Sequence, residues 1–106
     1  DEPTGVGVVA TAKVHLVVKD EVAIGEFAFN GSVNLWKVTA TGASEVGDDA
    51  FNNCKNLNEA ILPSANSVGC SLFASCSKLT NVRLPNATSI GRWAFEYCRA
   101  LRHITL

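Results

Sequence analysis

The residues best able to do chemistry are four cysteines and two histidines. Cys54, Cys76 and Cys98 recur at a constant interval of 22 residues. Metal ligands must converge on one point, and an evenly spaced column does not. Disulfide bonds join such residues two at a time and would leave one of the three over. The column reads instead as a ladder of small buried hydrophobes, a part cysteine plays well, and Ser32, another small residue, holds the same place one interval earlier. Cys70 stands outside this column, beside Gly69 and in line with Glu26, Asp48 and Arg92. Those are surface types, so Cys70 is expected as an exposed thiol, which weighs slightly against secretion. His15 and His103 lie 88 residues apart and neither has a Ser, Cys or carboxylate at a telling distance. With no phosphate-binding loop, paired-acid motif or metal-ligand cluster, the sequence points away from an enzyme and implies no cofactor.

The interval that orders the cysteines orders everything else. Gly25, Gly47, Gly69 and Gly91 share it, as do Phe29, Phe51, Phe73 and Phe95, and Leu35, Leu57, Leu79 and Leu101. Val38, Ala60, Val82 and Ile104 follow, then Ala40, Leu62, Leu84 and Leu106. No insertion or deletion breaks the register. A fixed period of this length marks a solenoid. Full units run over 19–40, 41–62, 63–84 and 85–106. They follow a partial unit whose strand is Val14–Val18, with Leu16 and Val18 on the register of Val38 and Ala40. Each unit reads as a turn, a Val/Ile-Gly pair, a short helical piece and a strand. Strand alternation sends Ile104 and Leu106 inward and His103 and Thr105 outward. The recurrent glycine is expected where backbone approaches too closely for a Cβ. Ahead of the repeats, residues 1–13 lack the pattern, and small apolar residues there are expected to cover the first coil.

Composition bounds the reading. Hydrophobic content of 47% suits a chain that buries a core. A net charge of -1 gives no general attraction to nucleic acid or anionic membrane. The charge is uneven. Residues 1–53 carry 3 Lys+Arg against 8 Asp+Glu, or -5, and residues 54–106 carry 6 against 2, or +4. In a solenoid, position in sequence is position along the long axis, so the ends should differ in sign. No apolar run is long enough to span a membrane as a helix. The chain opens on Asp1 and stops in mid-pattern at Leu106, so a truncated repeat array is expected. Asn30-Gly-Ser32 and Asn86-Ala-Thr88 match the N-glycosylation acceptor, a short motif that chance supplies readily in an Asn-rich chain.

The outward strand positions are the candidate site. One column holds Val14, Trp36, Asn58, Thr80 and Arg102; the next His15, Lys37, Glu59, Asn81 and His103; the third Val17, Thr39, Ile61, Arg83 and Thr105. The inward columns barely vary, whereas these differ at every rung. Trp and Arg are enriched at binding hot spots. Trp36 and Arg83 are therefore the expected anchors, with Lys37, Glu59, Ile61, Arg102 and His103 around them. Phe27 and Trp93, two residues after their glycines, are expected as partly covered aromatics on the opposite side.

The run Leu84-Pro-Asn-Ala-Thr-Ser-Ile-Gly-Arg-Trp-Ala-Phe-Glu-Tyr-Cys-Arg-Ala-Leu-Arg-His-Ile-Thr-Leu106 and its three in-register copies resemble the BspA-type leucine-rich repeat over residues 22–106. Ser32 in place of Cys, Ala40-Thr41 in place of Leu-Pro, and Leu72 in place of Ala are local departures. The resemblance implies an α/β leucine-rich-repeat solenoid of about four repeats plus the N-terminal partial one. Its parallel sheet would line the concave face, with short helical or 3-10 turns on the other side. It implies a non-catalytic protein-binding role, often at the surfaces of bacteria and some unicellular eukaryotes, though a cytoplasmic setting stays open. The unpaired final strand and the -5/+4 split keep a structural alternative open, in which solenoids stack end to end.

Overall fold

The computed structural model describes residues 13–106, and the segment expected to cover the first coil lies, up to residue 12, outside them. The chain winds into about four coils with the expected 22-residue spacing. The strands are β1 (Val14–Val18), β2 (Leu35–Ala40), β3 (Glu45–Val46), β4 (Glu59–Ile61), β5 (Ser67–Val68), β6 (Asn81–Arg83), β7 (Ser89–Ile90) and β8 (His103–Thr105). They form two parallel sheets, a five-stranded one in the order β1-β2-β4-β6-β8 and a three-stranded one in the order β3-β5-β7. Lys37 pairs with Glu59, Glu59 with Asn81, and Asn81 with His103, each one period on. The register slips once. Val14 pairs with Leu35 across a bulge and not with Trp36, and the expected alignment resumes at His15 and Lys37. The second sheet was not expected, although the inward Val46 and Val68 belong to it.

The short helical piece does not form among the described residues, which contain no α- or 3-10 helix. In its place the backbone makes successive β-turns. Ala28 N–H donates to Gly25 O, Asn30 to Phe27, Ser32 to Phe29 and Leu35 to Ser32. The reason is backbone sign. Phe27, Asp49, Ser71 and Trp93 have φ of 56–59°, and Gly31, Asn53, Ser75 and Tyr97 have φ of 61–71°. A left-handed residue every fourth position breaks a right-handed helix at each turn. The same geometry frees alternate N–H groups to bond the next coil. Phe29 donates to Ala50 O, Phe51 to Leu72 O and Phe73 to Ala94 O, at 2.8–3.0 Å. The described residues thus form a parallel-sheet β-solenoid, and the helical side of the expected α/β class is not found among them.

Inside, the four phenylalanines stand in single file. Successive ring centroids are 5.4, 5.7 and 5.8 Å apart, with interplanar angles of 8, 15 and 19°. Each such pair contributes about 0.5–1.5 kcal/mol beyond its area. Leu35, Leu57 and Leu79 stack beside them, as do Val38, Ala60 and Val82, all buried. The cysteine column is also interior, with Cys54 and Cys76 fully buried and Cys98 half-buried. Each thiol donates to the carbonyl of the phenylalanine in the coil before it: Cys54 to Phe29 at 3.2 Å, Cys76 to Phe51 at 3.1 Å and Cys98 to Phe73 at 3.0 Å. These weak bonds occupy turn carbonyls that the core would otherwise shield from water. Contact with the Cys54 thiol, then burial, pushes the Cys76 thiol well above the ordinary cysteine range; the same contact lowers Cys54, and burial pushes Cys98 up. Cys70 is half-buried, not exposed, and its N–H donates to Asp48 Oδ1 at 2.8 Å.

The recurrent glycine is closed to a Cβ at Gly47, Gly69 and Gly91, but not at Gly25, where the space is open. A Cβ on Gly69 would come within 2.5 Å of Asp48 N and 2.6 Å of Gly47 C, so no side chain fits between the coils there.

Phe73→Ala should lower unfolding free energy by about 3–5 kcal/mol in urea, and Gly69→Ala should lower the melting temperature sharply by circular dichroism. A thiol held protonated in the fold resists ionisation that the unfolded chain allows, so the folded state holds more protons at alkaline pH. Stability should therefore be full below about pH 8.5 and fall above it; Cys76→Ala should flatten that fall. A thiol-specific reagent should modify Cys70 first and reach Cys54 and Cys76 only on unfolding.

Candidate functional site

The outer face of the five-stranded sheet is built by alternation. Val38, Ala60 and Val82 turn inward and are fully buried, which sends their neighbours Lys37 and Thr39, Glu59 and Ile61, and Asn81 and Arg83 outward. Parallel pairing at one period then sets these side chains in rows. Ile61 lies between Thr39 on β2 and Arg83 on β6, and Asn81 lies between Glu59 on β4 and His103 on β8.

The candidate residues fall into two groups. Lys37 and Glu59 are joined, Nζ to Oε1 at 3.2 Å, in the one ion pair among the described residues. Asn81 Nδ2 donates to the other oxygen, Glu59 Oε2, at 3.1 Å. Both oxygens of Glu59 are thus engaged, and it is the only carboxylate in the outward columns. A half-exposed pair of this kind adds about 0.2–1 kcal/mol. It ties three neighbouring strands together across the face. Trp36 is half-buried, and Lys13 Nζ stands 5.6 Å from its ring centroid in a cation–π contact. Ile61 is half-exposed beside them.

Arg83, Arg102 and His103 form the second group, all exposed. Arg102 N–H donates to Thr80 O at 3.0 Å, which holds its backbone against β6 while its side chain makes no ion pair among the described residues. Sequence reading missed one member of the face, Lys13, and one contact within it. Lys13 precedes the repeats, and nothing in the period marks it as a partner for Trp36. His15 Nε2 and Thr39 Oγ1 share a hydrogen bond of 2.8 Å, a diagonal that a column-by-column alignment does not bring out.

On the opposite side, Phe27 and Trp93 are 58% and 59% exposed, not partly covered as expected. Both sit at left-handed turn positions, whose backbone projects the side chain away from the coil. Among the described residues, no group of three or more His, Cys, Asp or Glu is placed to hold a metal ion. No helix among them is long and apolar enough to cross a membrane.

The comparisons with known proteins agree with this geometry. No curated protein and no solved structure matches the chain. The model of the family described as "BspA type Leucine rich repeat region (6 copies)" matches residues 15–106, from the second residue of β1 to the end of the last coil. With that span matched and the coils in register throughout, the chain belongs to the BspA-type leucine-rich repeat family.

Proposed function

We propose that the chain is a non-catalytic protein-binding module that receives its partner on the outer, concave face of the five-stranded sheet. The observation that carries this is the contrast between the two sides of that sheet. Inward positions repeat the same few residue types from coil to coil, whereas outward positions present Trp36, Lys37, Glu59, Ile61, Arg83, Arg102 and His103 on one continuous surface. Stacking constrains the first set and not the second. Leucine-rich repeats of this family suggest protein interaction and are generally non-enzymatic. The family is commonly surface-associated, and an extracellular or cell-surface setting is proposed here too. Nucleic acid is an unsuited partner, since the face carries no continuous basic stripe.

One observation favours a second reading. Residues 1–53 sum to -5 and residues 54–106 to +4, so the charge changes sign along the stack. End-to-end stacking with a second copy, assisted by that opposite charge, is the structural alternative.

The test is retention of proteins from source-cell extracts on immobilised chain. Ile61→Asp should abolish retention of the partner, while Ser71→Asp on the turn side should leave it intact, both variants melting within a few degrees of the parent. Retention that survives Ile61→Asp and is lost with Ser71→Asp would move the site to the other face. For the second reading, light scattering should show oligomers that dissolve as salt rises; a monomer at every ionic strength rejects it.

A further inference from the structure

Beyond Glu59 the charge on this molecule changes character. Residues 60–106 carry Lys78, Arg83, Arg92, Arg99 and Arg102 against a single carboxylate, Glu96. Glu96 lies in the turn segment, where its backbone carbonyl accepts from Ser75 N–H, and it is not on the sheet. On the sheet face the only carboxylate among the described residues, Glu59, is spent on Lys37 and Asn81. Among the described residues Arg83 and Arg102 therefore have no anionic neighbour on their own face, and both are exposed.

Register places them together. Arg83 pairs with Thr105 across β6 and β8, and Arg102 precedes His103 at the start of β8. Three residues of strand separate the two arginine positions lengthwise, which is roughly 10 Å at ~3.3 Å per residue. An extended chain repeats its same-side residues every ~6.6–7 Å, so carboxylates two or four positions apart on a partner can reach one guanidinium each. Guanidinium is the group that takes a carboxylate through two parallel hydrogen bonds. Around the arginines lie Thr80, Thr105 and Ile61, with hydroxyls and one apolar side chain for the rest of such a segment. Toward β4 and β2 the positive patch stops, because β4 presents Glu59 and Ile61 and β2 presents Thr39 and the neutralised Lys37. A long polyanion would need that patch to continue.

We propose that the β6–β8 end of the sheet face binds an acidic protein segment, with Arg83 and Arg102 each receiving a carboxylate. This rests on the sheet-face reading above and names the partner's chemistry.

The probe is a short synthetic peptide of alternating Glu and Ser, titrated into isotopically labelled chain and followed by amide NMR shifts, with its Gln counterpart as the control. Shifts are expected at Arg83, Arg102, His103 and Thr105, absent with the Gln peptide and suppressed by salt. The double variant Arg83→Ser, Arg102→Ser should weaken binding about tenfold or more with its melting temperature unchanged, since both side chains are exposed. Shifts confined to Arg92 and Arg99 on the turn segment, or none at all, overturn the proposal, as does a heparin fragment or duplex DNA binding where the Glu peptide does not. The two readings separate cleanly. If Ile61→Asp abolishes partner retention and the double arginine variant does not, the acidic segment is wrong and the sheet face stands. If neither variant affects retention, both fall.

Discussion

Each coil is held by the backbone of the next coming within hydrogen-bonding distance at three places around the turn. Along the main sheet the strands pair at one full period. At the small sheet, Gly47 N–H donates to Ile24 O, Gly69 to Val46 O and Gly91 to Val68 O, at 2.8–2.9 Å. In the turn segment, alternate N–H groups reach the carbonyls of the following coil. At Gly47, Gly69 and Gly91, and at Gly42 outside that column, an added Cβ would strike the neighbouring backbone, whereas at Gly25 it would meet nothing within 4 Å. This spacing governs the remainder. It stacks the phenylalanine rings face over face, brings each thiol to a carbonyl one coil back, and lets Lys37 and Glu59 meet across adjacent strands. A single coil could do none of these things, having no second layer to bury its apolar side.

The functional face is a by-product of that order and is free of it. Val38, Ala60 and Val82 must be apolar because they lie between layers. The residues beside them point to solvent and answer to no neighbour, except where Glu59 draws Lys37 and Asn81 to itself and where Thr39 shares a hydrogen bond with His15. That internal pairing quiets the middle of the face and leaves the arginines of β6 and β8 as its strongest uncompensated charge. Trp36 is likewise partly occupied, with Lys13 over its ring.

Sequence reading and structure agree where the signal was periodic and part where it was conformational. The single file of phenylalanines, the inward Val and Leu columns and the tight glycine were all legible, because each followed from residue type at constant spacing. The turn segment was misread. Asp-Ala-Phe-Asn-Asn-Cys has the composition of a helical turn, and composition does not reveal that Asp49 and Asn53 are left-handed. Asp, Asn and Gly tolerate that region, so Asp49, Asn53 and Gly31 were a usable hint. Phe27, Trp93 and Tyr97 at equivalent positions concealed it, since bulky residues seldom adopt positive φ. The candidate face was legible as a class, but its internal pairing was not. Nothing in a column of residue types says that Glu59 is saturated, or that Lys13, outside the repeat, reaches Trp36. The bulge at Val14 shows the same limit, since a one-residue slip leaves no mark on the period.

The constant interval has a consequence for how such a chain can change over generations. Every pairing described here joins a coil to its immediate neighbours, so removing or copying one whole coil shortens or lengthens the stack without disturbing distant layers. Near-identical interior residues make recombination between coils structurally silent, while the outward residues travel with each copied segment. The surface can thus be reshuffled tile by tile, and ligand preference can drift faster than architecture.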